Sequence, residues 1–144
     1  MKKIGITFST FDLLHPGHIL MLQDCKTVCD HLIIGIQSDP TIDREDKNDK
    51  YSKISGKPKN SPIQTLEERL MMIKAIKFVD EVFIYDTEQD LYDWLSNNKW
   101  DVRILGSDWK GKIFTGHDIE GEIYFHKRDH DWSTTAFRHR LKNI

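Results

Sequence analysis

A chain of 144 residues is a single-domain length, enough to bury an ordinary hydrophobic core without disulfide or metal staples. Its charged residues are plentiful and nearly balanced, with a formal net charge of -2, which excludes a nucleic-acid binder held by a broadly basic face. Cys25 and Cys29 lie on one helical pattern with no second pair to complete a zinc site, so they read as reduced thiols. No amino-terminal signal pattern and no apolar run of membrane length is present, and the expectation is a cytoplasmic domain without a membrane partner.

Lys3 to Phe8 reads as a short buried strand, and Gly17 to about Cys29 as a helix with Ile19, Leu20, Leu22, Val28 and the cysteines on its apolar side. Between them the run Ser9-Thr10-Phe11-Asp12-Leu13-Leu14-His15-Pro16-Gly17-His18 turns a strand into a helix. A helix that starts there presents unpaired N–H groups and a positive dipole end, which suits a phosphate. His15 and His18, three apart, fall on one side of the first turn, and either imidazole can donate to a phosphoryl oxygen. Pro16 fits a helix start. A bare pair of histidines is more often a surface loop; the strand before and the helix after make the site reading.

His31 to Gln37 is a second strand, so the chain opens with a right-handed βαβ unit of a parallel sheet. Residues 38–62 break the pattern with a run of charges and then Lys53, Lys57 and Lys59 among Ser, Gly, Pro and Asn. Roughly 25 such residues inside one domain suggest a mobile binding loop, although a solvated loop without a role is the commoner outcome. Thr65 and Glu68 form a capping-box pattern at the next helix, whose buried side is Leu66, Leu70, Ile73, Ala75 and Ile76. Val79 to Tyr85 is a third strand, Gln89 to Asn98 a helix, Val102 to Gly106 a fourth strand and Glu122 to His126 a fifth. Asp108 follows the fourth strand, where a plain turn residue is the alternative to a site carboxylate. Ser133, a good N-cap, opens a terminal helix over Ala136 to Lys142, and with Thr134 and Thr135 it makes a second helix start suited to phosphate. The remaining histidines are too scattered for a metal site.

At these residues the sequence resembles the nucleotidyltransferase superfamily with the H-x-G-H signature, and most closely its cytidylyltransferases, which read G-T-F-D-x-x-H-x-G-H. Ser9 stands where those proteins commonly have glycine. Lys77-Phe78-Val79-Asp80-Glu81-Val82 is similar to the family's R-Y-V-D-E-V, and Gly106-Ser107-Asp108-Trp109-Lys110-Gly111-Lys112 to its G-D-D-W-x-G-K. Arg128, Ser133, Thr134 and Thr135 match R-T-x-G-I-S-T-T, while Asp129, Asp131 and Trp132 depart from it.

The resemblance implies an α/β, Rossmann-like, doubly wound parallel sheet of about five strands in the order 3-2-1-4-5, as one domain over residues 1–144. It implies attack by a substrate phosphate on the α-phosphate of CTP, with magnesium on the triphosphate, in a homodimer. His15, His18, Lys59 and Arg128 would be catalytic. Ser9, Thr10, Phe11, Lys57, Asp108, Ser133, Thr134 and Thr135 would join them around the nucleotide, and Asp12, Arg69 and Lys77 would hold the second substrate. The enzyme of best fit makes CDP-glycerol from glycerol 3-phosphate. Another phosphorylated alcohol or sugar, or ATP in place of CTP, is the alternative, because the helix after the third strand lacks the family's lysine for the acceptor. A catalytically silent nucleotide-binding regulator is the alternative of another class.

Overall fold

Residues 1–42 and 61–144 are described in the computed structural model of the chain. Lys57, Lys59 and most of the loop expected over 38–62 lie outside the described residues. The elements are β1 (Ile4–Ser9), α1 (Pro16–Val28), β2 (His31–Gln37), α2 (Leu66–Lys74), β3 (Glu81–Tyr85), α3 (Glu88–Asn97), β4 (Val102–Gly106), β5 (Glu122–His126) and α4 (Thr134–Lys142), with a 3₁₀ turn at Ser107–Trp109. The five strands pair in the order β3-β2-β1-β4-β5, and every pairing is parallel. This is the expected Rossmann-like sheet.

The period of two along β2 divides its apolar run between two cores. Leu32, Ile34 and Ile36 face Leu22, Cys25 and Cys29 around α1, together with Ile73 of α2 and Val102 and Ile104 of β4. Ile33 faces the other way, with Ile6, Tyr85, and Leu91 and Leu95 of α3. Both faces of the sheet are therefore covered, as a parallel sheet requires. Phe8 adds an aromatic cluster on the second face, edge-on to Phe83, Tyr85 and Trp94.

Local signals set the boundaries. Thr65 and Glu68 make the expected capping box at α2, and Thr87 with Asp90 makes another that starts α3 one residue early, at Glu88. β3 begins at Glu81, not Val79, because the Asp80 carboxylate accepts from Leu32 N at 2.8 Å and from Lys26 Nζ at 2.7 Å, replacing ladder bonds with side-chain ones. Leu20, expected on the buried side of α1, is exposed. Cys25 and Cys29 are free and buried. None of the described helices is long and apolar enough to cross a membrane.

Candidate active site

The crossing from β1 to α1 lies at the carboxyl ends of the strands, where the sheet order reverses and ligands of open α/β sheets bind. Phe11 and Leu13 both take φ 52, in the left-handed region that non-glycine residues rarely adopt. The turn holds because buried Asp12 sits between them with every acceptor engaged. Its carboxylate takes Ile63 N at 3.0 Å, Gln64 N at 2.9 Å and Arg138 Nη2 at 3.0 Å, and its carbonyl takes the Thr134 hydroxyl at 3.1 Å. Leu13 N donates to Gln64 Oε1 at 2.8 Å.

Helix α1 then begins with a capping box built from the two histidines. Gly17 N donates to His15 Nδ1 at 3.0 Å, and His15 N donates to His18 Nδ1 at 3.1 Å. Each Nδ1 is thereby an acceptor, so each neutral ring carries its hydrogen on Nε2. Burial, with the neighbouring His15, pushes the His18 pKa down to about 3, and burial beside His130 and Arg128 lowers that of His15. Near neutral pH the pair is a couple of uncharged N–H donors with ring centroids 3.9 Å apart. Gly17 is required by close approach, since a Cβ there would meet ring carbons of His15 and His130 at 2.7 Å.

The three residues expected at the second substrate lie in different settings. Arg69 is 2% exposed and its guanidinium makes four hydrogen bonds to backbone carbonyls: Nη1 donates to Thr10 O at 3.0 Å and Gln37 O at 2.6 Å, Nη2 to Ser38 O at 2.5 Å, and Nε to Gln64 O at 3.2 Å. It ties the ends of β1 and β2 to the entrance of α2. Asp12, 6% exposed, is occupied by the donors named above. Lys77 precedes β3, at the opposite end of the sheet from His15, with its ammonium over the Phe78 ring.

Asp12 and the other described residues fall around two cavities that share His18 and Thr134. One, of about 240 Å³, lies between Ser9, Thr10 and Phe11 and the amino terminus of α4, with Thr135 and Arg138 opposite. Ser133 caps that helix by accepting from Ala136 N at 2.9 Å. Polar hydroxyls, a helix start and a guanidinium suit phosphoryl groups. The second, also of about 240 Å³, runs between α1 and the ends of β4 and β5, past Met21, Gly106, Asp108, Arg128 and Trp132. Arg128 is anchored there: its N donates to Ser107 Oγ at 3.3 Å, its Nη2 to Trp132 O at 3.1 Å, and its Nη1 lies 3.6 Å from Asp108.

Sequence reasoning missed His130, Ser107, Arg138 and His126. Arg138 lies one turn after Thr134 on α4, a signal that helical spacing carries. His130 borders the second cavity and accepts from Trp132 N at 3.1 Å, a loop contact without any sequence period.

A sequence model of the cytidylyltransferase-like family matches residues 6–140. The bifunctional protein HldE of Campylobacter jejuni subsp. doylei is 34% identical over 142 residues, 99% of this chain but 28% of that protein. HldE of Caulobacter vibrioides is 31% identical over 117 residues, covering 81% of this chain and 22% of the relative. The chain thus spans about a quarter of the length of these curated relatives. Among solved structures, the lipopolysaccharide core biosynthesis protein from Thermoplasma volcanium GSS1 superposes with TM-score 0.58 at 22% identity, over 99% of this chain and 88% of that one. Pantoate-beta-alanine ligase from Francisella tularensis superposes with TM-score 0.53 at 17% identity, over 99% and 66%. Those two likenesses speak for the fold. The family match over nearly the whole chain, with the paired histidines in place, makes this a member of the cytidylyltransferase-like family of nucleotidyltransferases.

Proposed function

We propose that the protein transfers a nucleotidyl group from a nucleoside triphosphate to the phosphate of a small phosphorylated molecule, releasing pyrophosphate. The observation that carries this reading is the pair of neutral Nε2–H donors of His15 and His18, with His18 on the boundary between a phosphate-suited cavity and a more apolar one. A nucleotide laid across that boundary has its base and ribose between Met21, Arg128 and Trp132, its α-phosphate at the histidines, and its β- and γ-phosphates toward Ser133, Thr134 and Thr135. An oxygen of the acceptor phosphate attacks the α-phosphorus, and the bond to the departing pyrophosphate breaks in line with it. No covalent enzyme intermediate is needed, so catalysis consists of positioning and of donors aimed at the developing charge. The two imidazoles need no proton transfer to act in this way.

Lys59 and Lys57 are assigned to the triphosphate, and Asp108 to orienting the ribose. No group of three or more metal-ligating side chains occurs among the described residues. Magnesium is assigned to the triphosphate itself, where it would neutralise charge. A homodimer belongs to the same reading; β3 is an edge strand with Ile84 exposed.

The finer assignment is CTP with glycerol 3-phosphate, Arg128 donating to the pyrimidine carbonyl. A second reading has ATP and a phosphorylated sugar or another alcohol. Two observations favour it: α3 contains no lysine and opens with Glu88 and Asp90, and a cavity of about 530 Å³ continues past His130, Trp132 and Ser133, which leaves room for a purine. The test is a matrix of the four nucleoside triphosphates against phosphorylated alcohols and sugars, scored by pyrophosphate release. Turnover with CTP and glycerol 3-phosphate above all other pairs supports the finer assignment, and ATP at or above CTP replaces it with the second. Tight nucleotide binding with no turnover anywhere in the matrix points to the regulatory class.

A further inference from the structure

The cavity assigned above to the nucleoside contains an imidazole that the proposed chemistry does not use. His126, the last residue of β5, lines it together with Met21, Arg128 and Trp132. Its Nδ1 lies 2.7 Å from Asp24 Oδ2. That carboxylate is held in turn by the Tyr124 hydroxyl, at 3.1 and 3.2 Å from its two oxygens. A carboxylate only accepts, so the bond to Asp24 places the ring hydrogen on Nδ1 and leaves Nε2 of the neutral ring as a bare acceptor. Nε2 is buried and has no hydrogen-bond partner among the described residues. An unmatched buried acceptor costs stability, and Asp24, itself fixed by Tyr124, holds this ring where that cost is incurred.

We infer that His126 is a specificity residue that accepts a hydrogen bond from the exocyclic amine of the nucleobase, with Asp24 as the positioning residue that fixes its tautomer. The inference rests on the nucleotidyl-transfer reading. The same cavity holds Arg128, a donor, so the two side chains together offer a base one donor and one acceptor. An amino base with a ring acceptor satisfies both, and cytosine and adenine each do. The deaminated counterparts, uracil and hypoxanthine, present a carbonyl oxygen to Nε2 and leave two acceptors facing one another.

The test is titration calorimetry of the full chain with CTP, UTP, ATP and ITP, for the parent, for His126→Phe and for Asp24→Asn. In the parent the amino nucleotide of the better-bound pair should bind about tenfold or more tightly than its deaminated analogue. His126→Phe should bring that ratio to within about threefold, by weakening the amino nucleotide without weakening the analogue. Asp24→Asn keeps the ring but frees its tautomer, so it should narrow the same ratio even if His126→Phe folds poorly. Equal weakening of both nucleotides by the variants would reduce His126 to a packing role and overturn the inference. So would an effect of His126→Phe that vanishes when the 2′-deoxynucleotides are used, because the partner would then be the ribose. A parent that transfers nucleotide while its ratio is untouched by either variant loses only this inference. A parent that binds none of the four nucleotides loses the nucleotidyl-transfer reading and this inference with it.

Discussion

Two polar clusters sit side by side at the carboxyl ends of the strands, and they differ in where their hydrogen bonds go. In the Asp12–Arg69 cluster every donor and acceptor named is engaged within the chain: four backbone carbonyls on the guanidinium, two backbone N–H groups and Arg138 on the carboxylate. In the His15–His18 cluster the hydrogen bonds among the described residues use Nδ1 of each ring, taken by the first turn of α1, and none of them uses Nε2–H. The first cluster builds the turn, and the second keeps donors to offer beside it. A charged residue next to a motif is therefore not a substrate ligand by position alone; it is one only if some of its bonding capacity remains.

Removing a member from each cluster should break that comparison in opposite ways. Arg69→Met leaves four carbonyls buried without their donor and should cost about 3 to 5 kcal/mol of stability, seen as a large drop in the urea midpoint. The fraction that stays folded should still bind nucleotide with parental affinity. Loss of nucleotide affinity with an unchanged midpoint would instead make Arg69 a ligand.

His18→Ala should do the converse. A donor aimed at charge that develops during transfer acts mainly in the transition state, so turnover should fall roughly a hundredfold or more. Nucleotide affinity should change by less than about threefold, and the urea midpoint only modestly. Single-turnover pyrophosphate release compared with equilibrium binding separates these terms. Equal turnover in variant and parent would remove His18 from the chemistry.

Gly17→Ala sharpens the comparison at smaller amplitude. The added Cβ would lie 2.7 Å from ring carbons of His15 and His130, and to make room the His15 ring must leave its cap on Gly17 N. Turnover should fall about tenfold with nucleotide affinity less affected, because the donor is misdirected and not removed. An alanine variant with parental turnover would show that the His15 ring is free to shift.

The strands β2, β4 and β5 and the capping box of α2 were legible in the sequence, because apolar runs of strand length and Thr-x-x-Glu are local signals, whereas the sheet order was implied only by the family resemblance. The H-x-G-H turn was legible too, and the structure adds the tautomers, which depend on which backbone N–H each ring accepts. The surroundings of Arg69 and Asp12 were not legible, because residue type and motif position do not reveal that Arg69 donates to the carbonyls of Thr10, Gln37, Ser38 and Gln64 or that Asp12 accepts from Ile63 N, Gln64 N and Arg138. The Asp24–His126 pair was invisible for a related reason. Its members are 102 residues apart and meet only because β5 lies beside α1 in space.

The last test uses pH, where the two clusters should part again. The His18 pKa is depressed to about 3 in the folded chain against an ordinary 6.5, mainly by burial. Between those values the unfolded chain binds a proton at this residue and the folded chain does not, so unfolding takes up protons and stability must rise with pH across that window. Above about 6.5 both states are neutral and the dependence ends; as pH falls toward 3 the contribution is progressively lost. His15, shifted in the same direction, adds to the slope. The expected slope from His18 is about 1 kcal/mol per pH unit below pH 6, after allowance for its partial exposure. His18→Gln, which keeps an amide donor but cannot titrate, should flatten it, whereas Arg69→Met should lower the whole curve and leave the slope in place. Urea unfolding of the three proteins from pH 4.5 to 8, in about half-unit steps, distinguishes the outcomes. Parallel curves for parent and His18→Gln would mean that His18 titrates normally in the folded chain, and the account of a neutral donor pair would fail with them.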